Sequence, residues 1–158
     1  MNIRIGHGID FHRLETGLEL WLGGINIPSE KGCVAHSDGD VLLHAICDAL
    51  LGAAGLKDIG YYFPDSSGEF KNIDSKIILK KSYDLIREKG FSIINIDSTV
   101  CLESPKIAPF NKKMRKVISS IVETDTDNIA IKATTAEKLG FIGREEGIIA
   151  IAVVLLMK

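Results

Sequence analysis

The sequence predicts a single domain, residues 1–158, of the α/β class (α+β type), a mixed β-sheet with helices packed on one face. Three observations lead there. A chain of 158 residues fits one compact domain and buries about two thirds of the surface its unfolded form exposes. Apolar residues recur with helical spacing in some stretches and alternate in others, and the two kinds follow one another irregularly rather than in strict βαβ order. The run Gly147 to Met157 is apolar on both faces, the mark of a central strand. No repeat, low-complexity tract or linker interrupts the chain.

From the N-terminus, Ile3, Ile5, Ile9 and Phe11 alternate with small or polar residues and predict an extended strand, with Ile9 and Phe11 turned into the core. Leu20 to Ile27 is a second extended piece, bent at Gly23-Gly24 and ended by Pro28. A glycine-rich turn then leads to His36. Val41 to Leu56 has helical spacing: Leu43, Ile46, Cys47, Leu50, Leu51 and Ala54 share a face, Ser37 or Asp38 caps the start, and Gly55 ends it. A second helix runs from Ser75 to Lys89, with Ile77, Ile78, Leu85 and Ile86 inward and Gly90 as the stop. Ile94, Ile96, Val100 and Leu102 alternate in the next strand, which Pro105 breaks. Pro109 suits the first turn of a third helix, where Met114, Val117, Ile118, Ile121 and Val122 form an amphipathic stripe. Ile129 to Ala133 is a strand, Thr134 to Leu139 a short helical turn, and Gly147 to Met157 the last strand.

Composition narrows the function classes. The 19 basic and 21 acidic side chains leave a net charge of -2, so no polyanion-binding surface and no nucleic-acid partner is expected. Cys33, Cys47 and Cys101 are scattered and form no CxxC pair, which argues against a disulfide framework or a cysteine zinc site and for a reducing compartment. Met1 to His12 lacks the basic-then-apolar pattern of a signal peptide. The longest apolar run, Ile148 to Met157, is about half the ~20 residues a membrane span needs. The expectation is a soluble, intracellular protein without a membrane partner.

Two constellations carry chemistry. Asp10 and His12 are two apart in an extended segment, so both point to one side as a two-toothed ligand for a divalent ion. Glycines nearby, Gly6 and Gly8, permit close approach of backbone or ligand. Asp40, His44 and Asp48, four apart, form a polar stripe opposite the apolar face of the first helix. With His44 as third ligand, a neighbouring carboxylate orienting its other nitrogen, the set leaves an open position, as catalytic zinc sites do. The alternative is a surface hydrogen-bonded pair and a solvated helix face. His36-Ser37 stands before the helix, where backbone N–H groups favour anions; a plain loop histidine is the alternative.

Lys132 to Gly147 is the second constellation. Thr134 and Thr135 offer hydroxyls to a phosphate, Glu137 a carboxylate to a hard ion such as Mg2+, and Arg144 a fork to a diphosphate. The competing reading is a capping box, Thr134-x-x-Glu137, followed by a surface hairpin. Neither a Walker loop nor GxGxxG occurs, which disfavours an ordinary ATPase or dinucleotide enzyme.

Taken together, Gly6-His-Gly-Ile-Asp-Phe-His12, Ala35-His-Ser-Asp-Gly-Asp-Val41 with His44, Asp58-Ile-Gly60 with Phe63-Pro-Asp65, and Ala133 to Arg144 resemble the 2-C-methyl-D-erythritol 2,4-cyclodiphosphate synthase family, in collinear order over essentially the whole chain. The resemblance implies a homotrimer with active sites between subunits, and a lyase of the non-mevalonate isoprenoid pathway. Its implied reaction cyclises 4-diphosphocytidyl-2-C-methyl-D-erythritol 2-phosphate, a CDP-linked small molecule, with release of CMP. It implies Asp10, His12 and His44 as ligands of Zn2+ or another divalent transition metal, and Glu137 as the contact to Mg2+ or Mn2+. His36 and Thr135 match the groups supporting the transferring phosphoryl. Ser37, Ile59, Phe63 with Asp65, Ala133 and Thr134 fall in substrate-binding motifs, Asp58 and Gly60 match ribose contacts, and Leu102 to Ala108, with Pro105, Lys106 and Ile107, matches the cytosine-side wall. Phe141 and Arg144 match residues near the trimer axis, where family members can hold an isoprenoid diphosphate. The implied location is cytoplasmic in a bacterium, or a plastid-type organelle after loss of a transit peptide.

Two departures stand out. Glu103-Ser104 occupies the cytidine wall where small or uncharged residues are usual, and is expected to be tolerated because backbone atoms read the base. Ser66-Ser67 follows Phe63-Pro-Asp65 where an acidic residue is often seen. Two other function classes compete: a metal-dependent phosphohydrolase, told apart by an open-chain product, and a non-catalytic trimer binding isoprenoid diphosphates, told apart by binding that survives His44→Ala.

Overall fold

The computed structural model describes residues 2–64 and 72–158. Its centre is a five-stranded sheet of β1 (Ile3–Thr16), β4 (Lys31–Val34), β5 (Ser92–Cys101), β6 (Ile129–Thr134) and β7 (Gly147–Met157), in the order β4-β1-β7-β5-β6. Only the β5–β6 pair is parallel, so the sheet is mixed, and the doubly apolar β7 lies in the middle, as its sequence predicts. Strands β2 (Leu20–Leu22) and β3 (Ile25–Ile27) make a separate hairpin whose two-residue turn is Gly23-Gly24, at φ +60° and +79°. Left-handed angles at both central residues are what such a tight turn requires, and glycine supplies them without steric cost.

Helix α1 (Val41–Ala53) lies on β1 and β7, α3 (Ser75–Glu88) packs on α1, and α4 (Asn111–Ile121) packs on β6; short helices α2 (Ile59–Tyr62) and α5 (Gly140–Gly143) complete the set. The inner sheet face carries Ile148, Ala150, Ala152, Val154 and Leu156, all fully buried. On the other face Ile3, Ile5, Ile9, Phe11, Ile151 and Val153 stay exposed, between 39 % and 73 %.

Several expectations are corrected. Ile9 and Phe11 do not enter the core; the inward face of β1 is Gly6, Gly8, Asp10, His12 and Leu14. The reason is space. A Cβ at Gly6 would lie 1.8 Å from the Ala49 carbonyl oxygen and one at Gly8 1.9 Å from that of Ala45, so bare backbone is the only surface that admits α1 this closely. Helix α1 ends at Ala53, and its cap is neither Ser37 nor Asp38 but Asp40. In α3 Ile77 faces out, at 48 % exposure, while Leu79, Ser82 and Tyr83 join Ile78 and Ile86 inside. Ile94 sits at a bulge opposite β7. The short strand β4 replaces part of the glycine-rich turn. No helix among the described residues is long and apolar enough to cross a membrane.

Candidate functional site

The close seating of α1 on the glycines of β1 determines where the next residues meet. Asp10 and His12 continue the inner face of β1 just beyond Gly8, and His44 projects from the first turns of α1 toward them. His44 Nδ1 lies 3.1 Å from Asp10 Oδ2 and 3.2 Å from His12 Nε2, and His12 Nε2 lies 3.2 Å from Asp10 Oδ2. Three donor atoms at the corners of a nearly regular triangle suit one face of a coordination polyhedron. With metal–ligand bonds of about 2.0–2.1 Å the edge is about 3.3 Å for a tetrahedron and about 3.0 Å for an octahedron. The observed edges fall between the two, so Asp10, His12 and His44 could hold a divalent ion.

The orientation of His44 comes from residues the sequence reading did not pick out. Ser75 Oγ donates to Asp38 Oδ1 at 2.5 Å, which uses its one proton. At the 2.8 Å contact with His44 Nε2 the serine must therefore accept, so Nε2 carries the hydrogen and the Nδ1 lone pair of the neutral ring points into the triangle. Ser37 Oγ lies farther from Nε2, at 3.3 Å. Asp38 is held in turn, accepting from the backbone N–H of Ser75 at 2.9 Å and of Asp40 at 3.1 Å. Ser75 is fully buried. Burial works to lower the His44 pKa, but the hydrogen bond and charge of Asp10, with the charges of Asp40 and Asp38, leave it above the ordinary histidine value.

The expected stripe Asp40–His44–Asp48 divides into three separate jobs. Asp40, fully buried, accepts from the N–H groups of Gly23, Gly24 and Leu43 at 3.0, 2.7 and 3.0 Å, tying the β2–β3 turn to the start of α1. Burial drives its pKa up to about 6 against the pull of those N–H groups. Asp48 Oδ1 accepts from Ile59 N at 2.8 Å and so fixes the start of α2. Neither orients His44.

The triad opens into a cleft of about 350 Å³ that His36, Ser37, Ile59, Gly60 and Phe63 also line. Asp58 caps α2 through Tyr61 N at 3.0 Å and lines a neighbouring hollow with Asp48. Asp65 and Ser66-Ser67 lie outside the described residues.

A second cleft, of about 220 Å³, is walled by Leu102, Glu103, Pro105, Lys106, Ile107, Ala108, Ala133, Thr134 and Thr135. The loop beyond β6 is neither a helical turn nor a capping box. Glu137 and Lys138 adopt left-handed φ of +52° and +64°, which cannot propagate a helix, and the short helix begins only at Gly140. Thr135 Oγ1 instead donates to Glu137 Oε1 at 2.8 Å, placing hydroxyl and carboxylate side by side. Phe141 packs near Phe11, ring centroids 6.5 Å apart, and the Arg144 fork is engaged by both carboxylate oxygens of Glu146 at 3.0 Å.

The two clefts share no lining residue. β1 and β6 are separated by β7 and β5, three strand spacings or about 14 Å. One chain thus brings Asp10, His12 and His44 together with His36, Ser37, Gly60 and Phe63, and Leu102, Pro105, Lys106, Ile107 and Ala108 together with Thr135, but does not join the two groups.

Residues 3–157 match the model of the YgbB family. The chain is 59 % identical over 156 residues to the 2-C-methyl-D-erythritol 2,4-cyclodiphosphate synthase of Bacteroides fragilis (strain YCH46), covering 99 % of this chain and 98 % of the relative. It is 57 % identical over 158 residues to the synthase of Shewanella sediminis (strain HAW-EB3), covering 100 % and 98 %. Among solved structures it is similar to the bifunctional IspDF of Campylobacter jejuni (TM-score 0.94, 47 % identity, 98 % of this chain), of which it spans 42 %. It is also similar to Plasmodium falciparum IspF in complex with CDP, at TM-score 0.87 and 38 % identity over 99 % of this chain and 96 % of that one.

Proposed function

The chain belongs to the YgbB family, and on that premise we propose that it forms 2-C-methyl-D-erythritol 2,4-cyclodiphosphate and CMP from 4-diphosphocytidyl-2-C-methyl-D-erythritol 2-phosphate, in the non-mevalonate isoprenoid pathway. It is a cyclising phosphorus–oxygen lyase. The full-length identity to synthases of that name carries the reading. An oxygen of the 2-phosphate bonds to the β-phosphorus of the CDP group. The bond from that phosphorus to the bridging oxygen breaks, and CMP leaves with the oxygen and its electron pair.

Both reacting groups are anionic, so the protein's task is to hold them in line and offset their charge; no general base is required. Asp10, His12 and His44 are the ligands of one divalent ion, and their mixed nitrogen and oxygen donors favour Zn2+ over other transition metals. Glu137 is the contact for Mg2+ or Mn2+, a hard ion suited to one carboxylate and substrate phosphates. Such ions, when bound, screen the two anions from each other and polarise the phosphorus. His36 and Ser37 donate to phosphoryl oxygens from the first cleft, and Thr135 and Thr134 from the second. Asp58, Ile59 and Gly60 take sugar hydroxyls, and Phe63 with Asp65 borders the substrate. Leu102, Pro105, Lys106, Ile107, Ala108 and Ala133 wall the cytosine.

The division of these residues between two clefts supports a site completed by a second copy, the first cleft of one subunit meeting the second cleft of its neighbour in a homotrimer. The exposed apolar outer face of the sheet supports burial between subunits. An isoprenoid diphosphate at the axis, beside Phe141, would compete with Glu146 for Arg144. A cytoplasmic setting fits this pathway role.

The test is ³¹P NMR of the protein with the CDP-linked substrate, Zn2+ and Mg2+. CMP together with two coupled cyclic-diphosphate signals is the expected result. An open-chain phosphate product, or an unchanged spectrum with metal bound, overturns it.

A further inference from the structure

Glu103 stands in the base wall of the second cleft, yet its side chain does not face the cleft's solvent: it is only 3 % exposed. Its Oε1 accepts from the backbone N–H of Ala136 at 2.9 Å and of Lys138 at 3.3 Å, and its Oε2 lies 3.1 Å from Lys138 Nζ. These contacts straddle Glu137. They hold the stretch in which Glu137 and Lys138 take left-handed φ without being glycine, a strained conformation that persists where its surroundings impose it. The other side of the loop is also confined, since a Cβ at Gly143 would lie 2.1 Å from the Lys138 carbonyl carbon.

We infer that Glu103 is a positioning residue that links the nucleotide-base wall to the phosphoryl-handling loop, fixing where the Thr135 hydroxyl and the Glu137 carboxylate stand. The topology explains the placement. β5 and β6 are parallel neighbours, Cys101 pairs with Thr134, and Leu102 N donates to Thr134 O at 3.0 Å, so the segments after both strands leave the sheet side by side. Glu103 is the side chain that joins them one step beyond the last backbone bond. Among the described residues Glu103 is the sole acceptor for the N–H groups of Ala136 and Lys138, and without it Glu137 keeps its bonds to Thr135 Oγ1. A carboxylate beside a diphosphate site would ordinarily repel the substrate. Here its charge is directed at Lys138 and at two N–H dipoles. Burial works to raise the Glu103 pKa, but Lys138 and the two N–H groups outweigh it, so the group stays below its ordinary value and ionised at neutral pH. The departure from an uncharged residue at this position is therefore more than tolerated; it carries the loop.

This inference rests on the reading of Thr135 and Glu137 given above, and the experiment separates the two. Wild type, Glu103→Ala and Glu103→Gln are compared in turnover of the CDP-linked substrate at varied Mg2+, with Zn2+ affinity and melting temperature measured alongside. Turnover by the wild type upholds the function, whatever the variants do. For Glu103→Ala, kcat falls about 10–100-fold, as expected when a reacting group is misplaced by about 1 Å, and half-saturating Mg2+ rises about tenfold. KM changes by no more than about threefold, because the base wall itself keeps its residues. Zn2+ affinity and melting stay near wild type, since the triad lies on β1 and α1. Glu103→Gln keeps an oxygen acceptor for the two N–H groups and recovers most of kcat. An active wild type whose Glu103→Ala form keeps its kcat and Mg2+ dependence overturns the inference. So does a Glu103→Ala form in which Zn2+ affinity and melting fall together with kcat.

Discussion

Replacing Ser75 by alanine tests whether the orientation of His44 sets the affinity of the metal site. The serine hydroxyl bridges the Asp38 carboxylate and His44 Nε2, at 2.5 and 2.8 Å, and is fully buried. Its removal leaves the Nε2 hydrogen, among the described residues, with Ser37 Oγ at 3.3 Å. A buried donor left without a good acceptor costs about 1–3 kcal/mol. That cost falls on the metal-bound form, because coordination at Nδ1 fixes the ring and keeps the hydrogen on Nε2, whereas the metal-free ring is able to turn or change tautomer. Loss of such an orienting partner typically lowers metal affinity about 10–100-fold, or about 1.4–2.7 kcal/mol. The assay is competition for Zn2+ between apo-protein and a chromophoric chelator, with circular dichroism and melting of the apo form as the check on folding. An affinity within twofold of wild type in a normally folded Ser75→Ala protein refutes the reasoning, and would mean that the triangle of donors is held by packing alone.

Two further outcomes concern the frame around the site. Gly8→Ala puts a methyl group within 1.9 Å of the Ala45 carbonyl oxygen, so α1 must move off β1; a loss of about 3 kcal/mol or more in urea unfolding is expected, with weakened Zn2+ binding because His44 moves too. Unchanged stability would show that the close approach is not needed. Asp40 has a folded-state pKa of about 6 against an ordinary 3.8, so the folded state binds this proton more tightly than the unfolded one. Its contribution to stability is complete below 3.8 and is lost as pH rises through about 6. Asp40→Asn cannot titrate, and the stability of wild type minus that of the variant should decline between those pH values in urea melts; a flat difference counts against the raised pKa.

The sequence by itself marked four of the sheet's five strands, β1, β5, β6 and β7, the three main helices, and Asp10, His12 and His44 as a group able to hold a metal. Those are consequences of local pattern: the doubly apolar Gly147 to Met157 could only be a central strand, the Met114 stripe could only face inward, and Asp10 and His12 point the same way because strand side chains repeat every two residues. What periodicity could not decide was which face of β1 is inside. Ile9 and Phe11 look like core residues by hydropathy, but the core side belongs to glycines, because helix–strand distance and not residue polarity limits what fits there. The other failures share a cause. Ser75 lies 31 residues from His44, and Glu103 lies 33 and 35 residues from the N–H groups it accepts from, so no local spacing marks them. The Thr134-x-x-Glu137 pattern was locally a capping box, yet anchorage from Glu103 and Gly143 holds that backbone in a left-handed turn. Ligand types were legible because chemistry restricts them. The groups that aim those ligands were decided only by tertiary structure, because hydrogen bonds between distant segments form where packing brings the segments together.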